Sequence, residues 1–476
     1  MGFKHAATCL AMAAMLAVPA GTATVTAMVT AAGATGAAAA SFVNWPAYLL
    51  GPGHSSDNLA ATTITPATVP TLTRVWKWKA DPPTMTGQPN PGLYASPTVF
   101  NGTVYIGADT GVFYALSEAT GRVLWKRFLG FVPKLTCHAR GITSTATVAR
   151  DPRTGTPTVY VAGGDGYLYA LDAATGNIVW RSVIALPSTT VNDYYDWSSP
   201  TVVGGHVYVG VSSQCDRPLV AGGLKEYGQA TGAQLAFYRT NPGGTTGPSI
   251  WSSAAADPSG QSVYVSTGNG KGTDSASIVR LDGGTLAKVS SWQVPLSQQI
   301  SDSDFGGSPT LFTATLGGTV TNMVGACDKN GVYYALRADD LAAGPVWRLQ
   351  VGAGASGGPQ CDAAAIWDGT HLFIGGNQTT IGGLAYNGSI SMVDPATGTP
   401  IWQDGLSGPV IGSPSLGGGG VLAVQTYSST APLSLIDAAT GAVLATIATG
   451  TEFGQPVFAD DMLLIPTQGK GLWAYK

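Results

Sequence analysis

Six side chains between positions 140 and 329 are of types that could do chemistry as a group. Asp302 and Asp304 are two carboxylates in Ser301-Asp302-Ser303-Asp304-Phe305-Gly306-Gly307, and Asn269 is an amide in Thr267-Gly268-Asn269-Gly270. Together they offer the hard oxygen ligands that a calcium-like cation takes. Lys329, in Cys327-Asp328-Lys329-Asn330-Gly331, and Arg140, in Cys137-His138-Ala139-Arg140-Gly141, are cations that pair with carboxylates. Trp251, in Ile250-Trp251-Ser252-Ser253, offers a plane on which a ring can stack. The set suits a planar polyanion held beside a hard cation, with a carboxylate left to accept a proton. No Ser/His/Asp arrangement is recognisable, and no histidine cluster has zinc spacing. Each residue also has a structural reading. Trp251 could pack blades, Asn269 could serve a turn between glycines, and Asp302 and Asp304 could cap loop N–H groups. Lys329 could be a solvated hairpin residue, and Arg140 could pair with a structural carboxylate. Asp193, Asp196 and Trp197 are read as structural.

The elements that must position these residues are given by a repeat. Residues 103–125 read TVYIGADTGVFYALSEATGRVLW and residues 158–180 read TVYVAGGDGYLYALDAATGNIVW; a third copy begins at Pro432. Val104, Ile106, Val112, Tyr114 and Leu116 are spaced by two, the strand period. Asp109-Thr110-Gly111 and Ala119-Thr120-Gly121 are turns. The unit is four short antiparallel strands, A to D, and cannot bury both faces alone. Strand A starts near Ser96, Ser144, Ser199, Ser252, Ser308, Pro359, Ser413 and Pro456, at spacings of roughly 40–55 residues, the range of propeller blades. Strand D is marked by Trp125, Trp180, Trp347 and Trp402, and less clearly by Phe237 and Trp292. The last copy ends at its strand C, and Arg74–Trp78 is an orphan that matches a strand D. The expected fold is all-β: an eight-bladed propeller of four-stranded antiparallel blades over 73–476, closed by that N-terminal strand so that no raw edge remains. Seven blades is the alternative. The candidate residues lie at starts of strand A, ends of strand B and D-to-A loops, so they share one mouth of the ring.

The 65 glycines, 30 prolines and few charges fit a turn-rich β protein, and a net charge of −4 gives no basic footprint for nucleic acid. Lys4, the apolar run Ala6–Val18 and the small residues up to 40 read as a signal peptide and low-complexity leader, with a membrane anchor as the alternative. Residues 41–72 are an N-terminal extension. The expectation is a secreted, extracellular protein with no membrane span once the leader is removed. Cys137, Cys215, Cys327 and Cys361 follow the leader, an even number in an exported chain. Cys137 and Cys361 enter strand A of blades 2 and 6, and Cys215 and Cys327 leave strand B of blades 3 and 5. The neighbouring-blade pairings are therefore Cys137–Cys215 and Cys327–Cys361, with buried free thiols as the alternative. No Cys-x-x-Cys-His occurs, so no c-type haem is attached within this chain.

The repeat resembles the blade signature of the quinoproteins, propeller dehydrogenases that use pyrroloquinoline quinone (PQQ). It is also similar to non-catalytic relatives such as the propeller lipoprotein of outer-membrane assembly. Trp251 with Thr267-Gly268-Asn269 resembles the segment carrying the stacking Trp and the metal-binding Asn. Asp302-Ser303-Asp304 resembles the segment carrying the catalytic Asp and a second acid near the metal. Lys329 sits where the family places a cation against the quinone oxygen, and Arg140-Gly141 resembles a cofactor-binding Arg-Gly step. The wording IWSS…VYVSTGN and DSDFGGSP is closest to the polyvinyl-alcohol-dehydrogenase-like branch. Three features depart from the family: Cys137 is followed by His138 rather than by a second Cys, the metal-binding Glu falls at about Cys215 with Asp216 beside it, and there is no haem domain. The resemblance implies PQQ with Ca2+ or a lanthanide, oxidation of an alcohol or sugar with Asp302 as base, metal ligands Asn269, Asp302 and Asp304, cofactor contacts from Trp251, Lys329 and Arg140, and an external electron acceptor. The rival is a scaffold whose mouth binds a protein or glycan.

Overall fold

The computed structural model describes residues 42–354, 361–427, 433–451 and 453–476. The leader, the Pro359 start of blade 6 and the Pro432 start of the third copy lie outside the described residues. Among the described residues the chain forms eight sheets, seven of four strands and one of five. Blade 2 shows the unit: Thr147–Arg150, Pro157–Ala162, Tyr167–Asp172 and Ile178–Val183, paired antiparallel in that order. The inner strands are apolar on both faces, as in Val159, Val161, Leu168 and Ala170, because each blade is covered by a neighbour on either side. The outermost strand is half-exposed.

The repeated tryptophan lashes neighbouring blades together. Each of Trp76, Trp125, Trp180, Trp347 and Trp402 donates its indole N–H to a backbone carbonyl at the C–D corner of the next blade: Glu118 (2.7 Å), Ala173 (3.0 Å), Gln229 (3.1 Å), Pro395 (2.8 Å) and Ala438 (3.1 Å). Each ring lies on the corner glycine. At Gly176 a Cβ would come within 2.4 Å of the Trp125 ring, so only glycine lets the blades approach this closely. Phe237 and Trp292 do sit on fourth strands, Gln234–Arg239 and Lys288–Gln293. In those two blades Tyr208 and Tyr264 make the equivalent bond, to the carbonyls of Gly283 and Ala338.

Arg74–Trp78 pairs antiparallel with Gly471–Tyr475, with Lys77 opposite Trp473, and completes blade 8. The extension that precedes it closes the opposite end of the ring from the candidate residues. Its carbonyls accept one backbone N–H from the innermost strand of blade after blade: Trp45 from Val99, Pro46 from Val148, Pro52 from Ala256, Gly53 from Leu311, Ser55 from Trp367 and Ser56 from Leu416. Asp57–Asn58 then adds to blade 7 as a fifth, parallel strand, so that blade is not purely four-stranded and antiparallel. Leu49, Leu50, His54 and Ser56 all take positive φ, which curls the segment about the axis.

Candidate active site

The innermost strands start around a narrow axial channel of about 120 Å³ lined by Ser96, Thr145, Ser199, Ser253 and Ser308, among others. These hydroxyls account for Ser199 and Ser308 among the strand-start serines, while in blades 2 and 4 the residues next to Ser144 and Ser252 make the bond. Each takes a backbone N–H from the preceding blade: Thr145 from Ser96 (2.9 Å), Ser199 from Thr145 (3.0 Å), Ser253 from Ser199 (2.9 Å) and Ser308 from Ser253 (2.9 Å). Tyr48 of the extension lines the same channel.

Above the channel, sharing Trp197, Trp251 and Phe453 with it, opens a cleft of about 540 Å³. Trp251, Asn269, Asp302, Asp304 and Lys329 all line this cleft. Five of the six residues singled out by type therefore converge. Asp304 is buried; its Oδ1 accepts the Asn269 backbone N–H and its Oδ2 lies 2.8 Å from Lys329 Nζ. Asp302 is more open and meets Lys329 through Oδ2 at 3.1 Å, while the Asn269 amide reaches its Oδ1 at 3.5 Å. Lys329 also stands 5.4 Å from the centre of the Trp251 ring. Burial works against the Lys329 charge, but the carboxylates of Asp304, Asp362 and Asp302 outweigh it and hold the ammonium above its ordinary range.

A third carboxylate completes the group. Asp216, Asp302 and Asp304 each bring an oxygen within 4.8 Å of the others. Asp216 sits at φ 57° and accepts the Ser213 hydroxyl. Although Asp216 as a whole is exposed, partial desolvation of its carboxylate raises its pKa; the Ser213 hydroxyl opposes this and the Asp304 charge adds to it. Three carboxylates in one cleft are a hard-oxygen set for calcium or a lanthanide. Asp216 was visible in the sequence only as the neighbour of Cys215. Trp197, read as structural, belongs to the cleft: it lines it, and its indole N–H donates to the Ser213 carbonyl at 3.2 Å. Phe453 had no signal in the repeat at all.

Arg140 stands apart. It does not line the cleft. Its Nη1 pairs with buried Asp109 at 3.2 Å, and its guanidinium stacks on Tyr94 at 4.5 Å. Asp109 also accepts the Gly141 N–H at 2.9 Å. A buried carboxylate in the adjacent blade pairs with Arg140, which the structure does not bring together with the other five candidates. Both expected disulfides form, Cys137–Cys215 with Cα atoms 6.5 Å apart and Cys327–Cys361 at 5.4 Å. Cys215 lines the cleft, so a disulfide borders it even though Cys137 has no cysteine beside it.

A family profile described as the glucose/ethanol/alcohol dehydrogenase β-propeller domain matches residues 45–350, and one described as outer membrane protein assembly factor BamB matches residues 386–476. The quinohemoprotein alcohol dehydrogenase ADH IIB of Pseudomonas putida is 26% identical over 291 residues, covering 52% of this chain and 40% of that protein. ADH-IIG of the same organism is 28% identical over 204 residues, covering 38% of this chain and 27% of that protein. The matches thus span less than half of these relatives. Their names point to alcohol dehydrogenases rather than to the polyvinyl-alcohol branch suggested by the wording of blades 4 and 5. Among solved structures, the quinohemoprotein alcohol dehydrogenase of Comamonas testosteroni superposes with a TM-score of 0.69 at 18% identity, over 91% of this chain and 80% of that one. A europium-containing methanol dehydrogenase gives 0.68 at 16%, over 90% and 89%, and BamB of Moraxella catarrhalis gives 0.53 at 15%, over 85% and 97%. At these identities the likeness speaks for the fold.

Proposed function

From a chain that belongs to the glucose/ethanol/alcohol dehydrogenase β-propeller family, we propose an exported PQQ-dependent dehydrogenase that oxidises an alcohol or sugar and passes the electrons to an external acceptor. The observation that carries this reading is the convergence of Asp216, Asp302, Asp304, Lys329 and Trp251 on one cleft of ligand size. The donor set fits the group: carboxylate oxygens for a hard cation, an ammonium for a quinone oxygen, an indole plane below a flat ring, and room for it. When bound, the metal–quinone pair supplies an electrophilic centre that accepts hydride. The chain does the rest. Asp304, fixed by the Asn269 N–H and Lys329, holds its oxygen where the cation is needed. Asp302 is the more exposed of the two; paired with Lys329 through Oδ2, it is the carboxylate placed to accept the alcohol proton. Trp197 and Phe453 add apolar wall to the cleft beside Trp251. Two disulfides support an oxidising compartment and hence export.

The test is titration of the purified protein with PQQ and Ca2+ or a lanthanide, followed by alcohol-dependent dye reduction. Tight binding with turnover supports the reading. If saturating PQQ and metal leave no bound quinone and no dye reduction, the dehydrogenase reading fails. A binding scaffold, the role suggested by the BamB profile over residues 386–476, then takes its place.

A further inference from the structure

A second group of carboxylates lies at the far end of the ring from the cleft, at the seam between blades 8 and 1. The C–D corner of blade 1 reads Ser117-Glu118-Ala119-Thr120-Gly121, where blades 2 and 7 read Asp172-Ala173-Ala174-Thr175-Gly176 and Asp437-Ala438-Ala439-Thr440-Gly441. Glu118 thus stands where blades 2 and 7 bury an alanine, Ala173 and Ala438. It is 3% exposed, no donor reaches either of its buried carboxylate oxygens among the described residues, and the side chain within hydrogen-bonding reach of it is another carboxylate, that of Asp460. Leaving a carboxylate in this state is expensive unless something of opposite charge meets it.

What faces Glu118 is more negative charge. Asp460 and Asp461 form the A–B turn of blade 8, between Val457–Ala459 and Met462–Thr467. Asp460 is held at φ 46°; its Oδ1 accepts the Val43 N–H at 2.5 Å and its own N–H donates back to the Val43 carbonyl at 2.9 Å. Burial, then Asp460, then Asp461 push Glu118 up to about 8. Among the described residues, the Lys476 ammonium is paired with Asp461. The first described residues, the last residue, blade 1 and blade 8 all meet here.

We propose that Glu118 and Asp460 are ligands of a divalent cation of the calcium class, which staples the seam where the ring closes. The donors are oxygens only, with no His or Cys, which suits a hard ion with water completing its shell. The cation would neutralise the unpartnered Glu118 oxygens and relieve the Glu118–Asp460 repulsion. It would also tie the N-terminal extension, through Asp460 and Val43, to blade 1.

Terbium luminescence excited through tryptophan tests this directly, because the Trp76 indole donates to the Glu118 backbone carbonyl at 2.7 Å. The mature protein is compared with Glu118→Ala, the residue blade 2 carries at this corner, and with Glu118→Gln should the alanine variant fail to fold. An Asp304→Ala variant removes the cleft's contribution and reports on that site separately. The expected result is that either Glu118 variant binds one terbium fewer than the wild type, also in the Asp304→Ala background, and that Ca2+ displaces that terbium. Equal terbium stoichiometry in wild type and Glu118 variants overturns the proposal. So does a wild-type melting temperature that Ca2+ leaves unchanged relative to chelator and that simply falls as pH rises through about 8, because Glu118 and Asp460 then share a proton instead of an ion.

Discussion

Replacing Lys329 with methionine should cost stability in the absence of metal and return most of it when metal is added. The methionine keeps the stem against Trp251 and removes the charge. Lys329 makes two contacts of unequal weight. The one to Asp302, whose side chain is 40% exposed, is screened by water and contributes about 0.5 kcal/mol. The one to Asp304, whose side chain is 7% exposed, leaves a buried carboxylate uncompensated when it is lost, at about 3 kcal/mol. The Asn269 N–H still reaches Asp304, which keeps the loss at the lower end of that range. For a chain of this length, a loss of about 3 kcal/mol lowers the melting temperature by about 3 °C. The remaining carboxylates, with oxygens within 4.8 Å of one another, repel by about 3 kcal/mol per pair at an effective dielectric of about 20. A divalent cation relieves that repulsion. Thermal melts of wild type and Lys329→Met in chelator and in saturating Ca2+ should therefore show a larger calcium-induced rise in the variant, because Lys329 no longer competes for the same oxygens. Equal melting temperatures in chelator, or a larger calcium response in the wild type, would refute the reasoning.

Three other outcomes follow from the same geometry. Asp302→Asn should retain quinone binding while losing about 10²–10⁴-fold in turnover, read by dye reduction and quinone absorbance, since an amide cannot take the alcohol proton. His54, buried in the extension with Nδ1 2.7 Å from the Pro309 carbonyl, is lowered from 6.5 to about 4 by burial, against the pull of that carbonyl. The unfolded chain takes up that proton below pH 6.5 and the folded chain does not until about 4, so stability is full above the window and falls by about 3 kcal/mol across it; His54→Gln should flatten the dependence of melting temperature on pH. Deleting residues 42–78 removes the outer strand of blade 8 and every backbone bond from the extension, and circular dichroism should show loss of cooperative melting.

The blades were legible because each repeats one apolar alternation and five carry a tryptophan with a single job: the indole bonds the next blade's corner and rests on its glycine. The orphan Arg74–Trp78 was legible for the same reason, since Trp76 performs that job on blade 1. The extension was not. It meets the blades through one carbonyl apiece, and such contacts leave no period in the sequence. Five of the six candidates chosen by type and loop position line one cleft. Arg140 is not among them: in sequence a guanidinium in a loop looks alike whether it awaits a ligand or pairs with a carboxylate, and its partner Asp109 lies in a neighbouring blade. Asp216 escaped because its loop breaks the repeat and takes a left-handed backbone.

The two carboxylate groups show how a symmetric scaffold acquires sites. Where blade follows blade without change, each corner is met by a neighbour that satisfies it: alanine below an indole, hydroxyl against N–H. Chemistry becomes possible where a blade departs from that template and leaves charge unanswered by its neighbours. In the cleft the departures are Asp216 after the Cys137–Cys215 bridge and the Asp302–Asp304 loop, and Lys329 answers them in part. At the seam the departure is Glu118 in place of alanine, facing Asp460, with no ammonium of its own. The cleft therefore holds Lys329 on the carboxylates that a metal would use, whereas among the described residues the seam's ammonium, Lys476, pairs with Asp461 and leaves Glu118 unanswered. Metal at the seam should accordingly govern whether the ring stays closed, and metal in the cleft should govern what the mouth binds, so that Glu118 variants alter melting and Asp304 variants alter quinone binding.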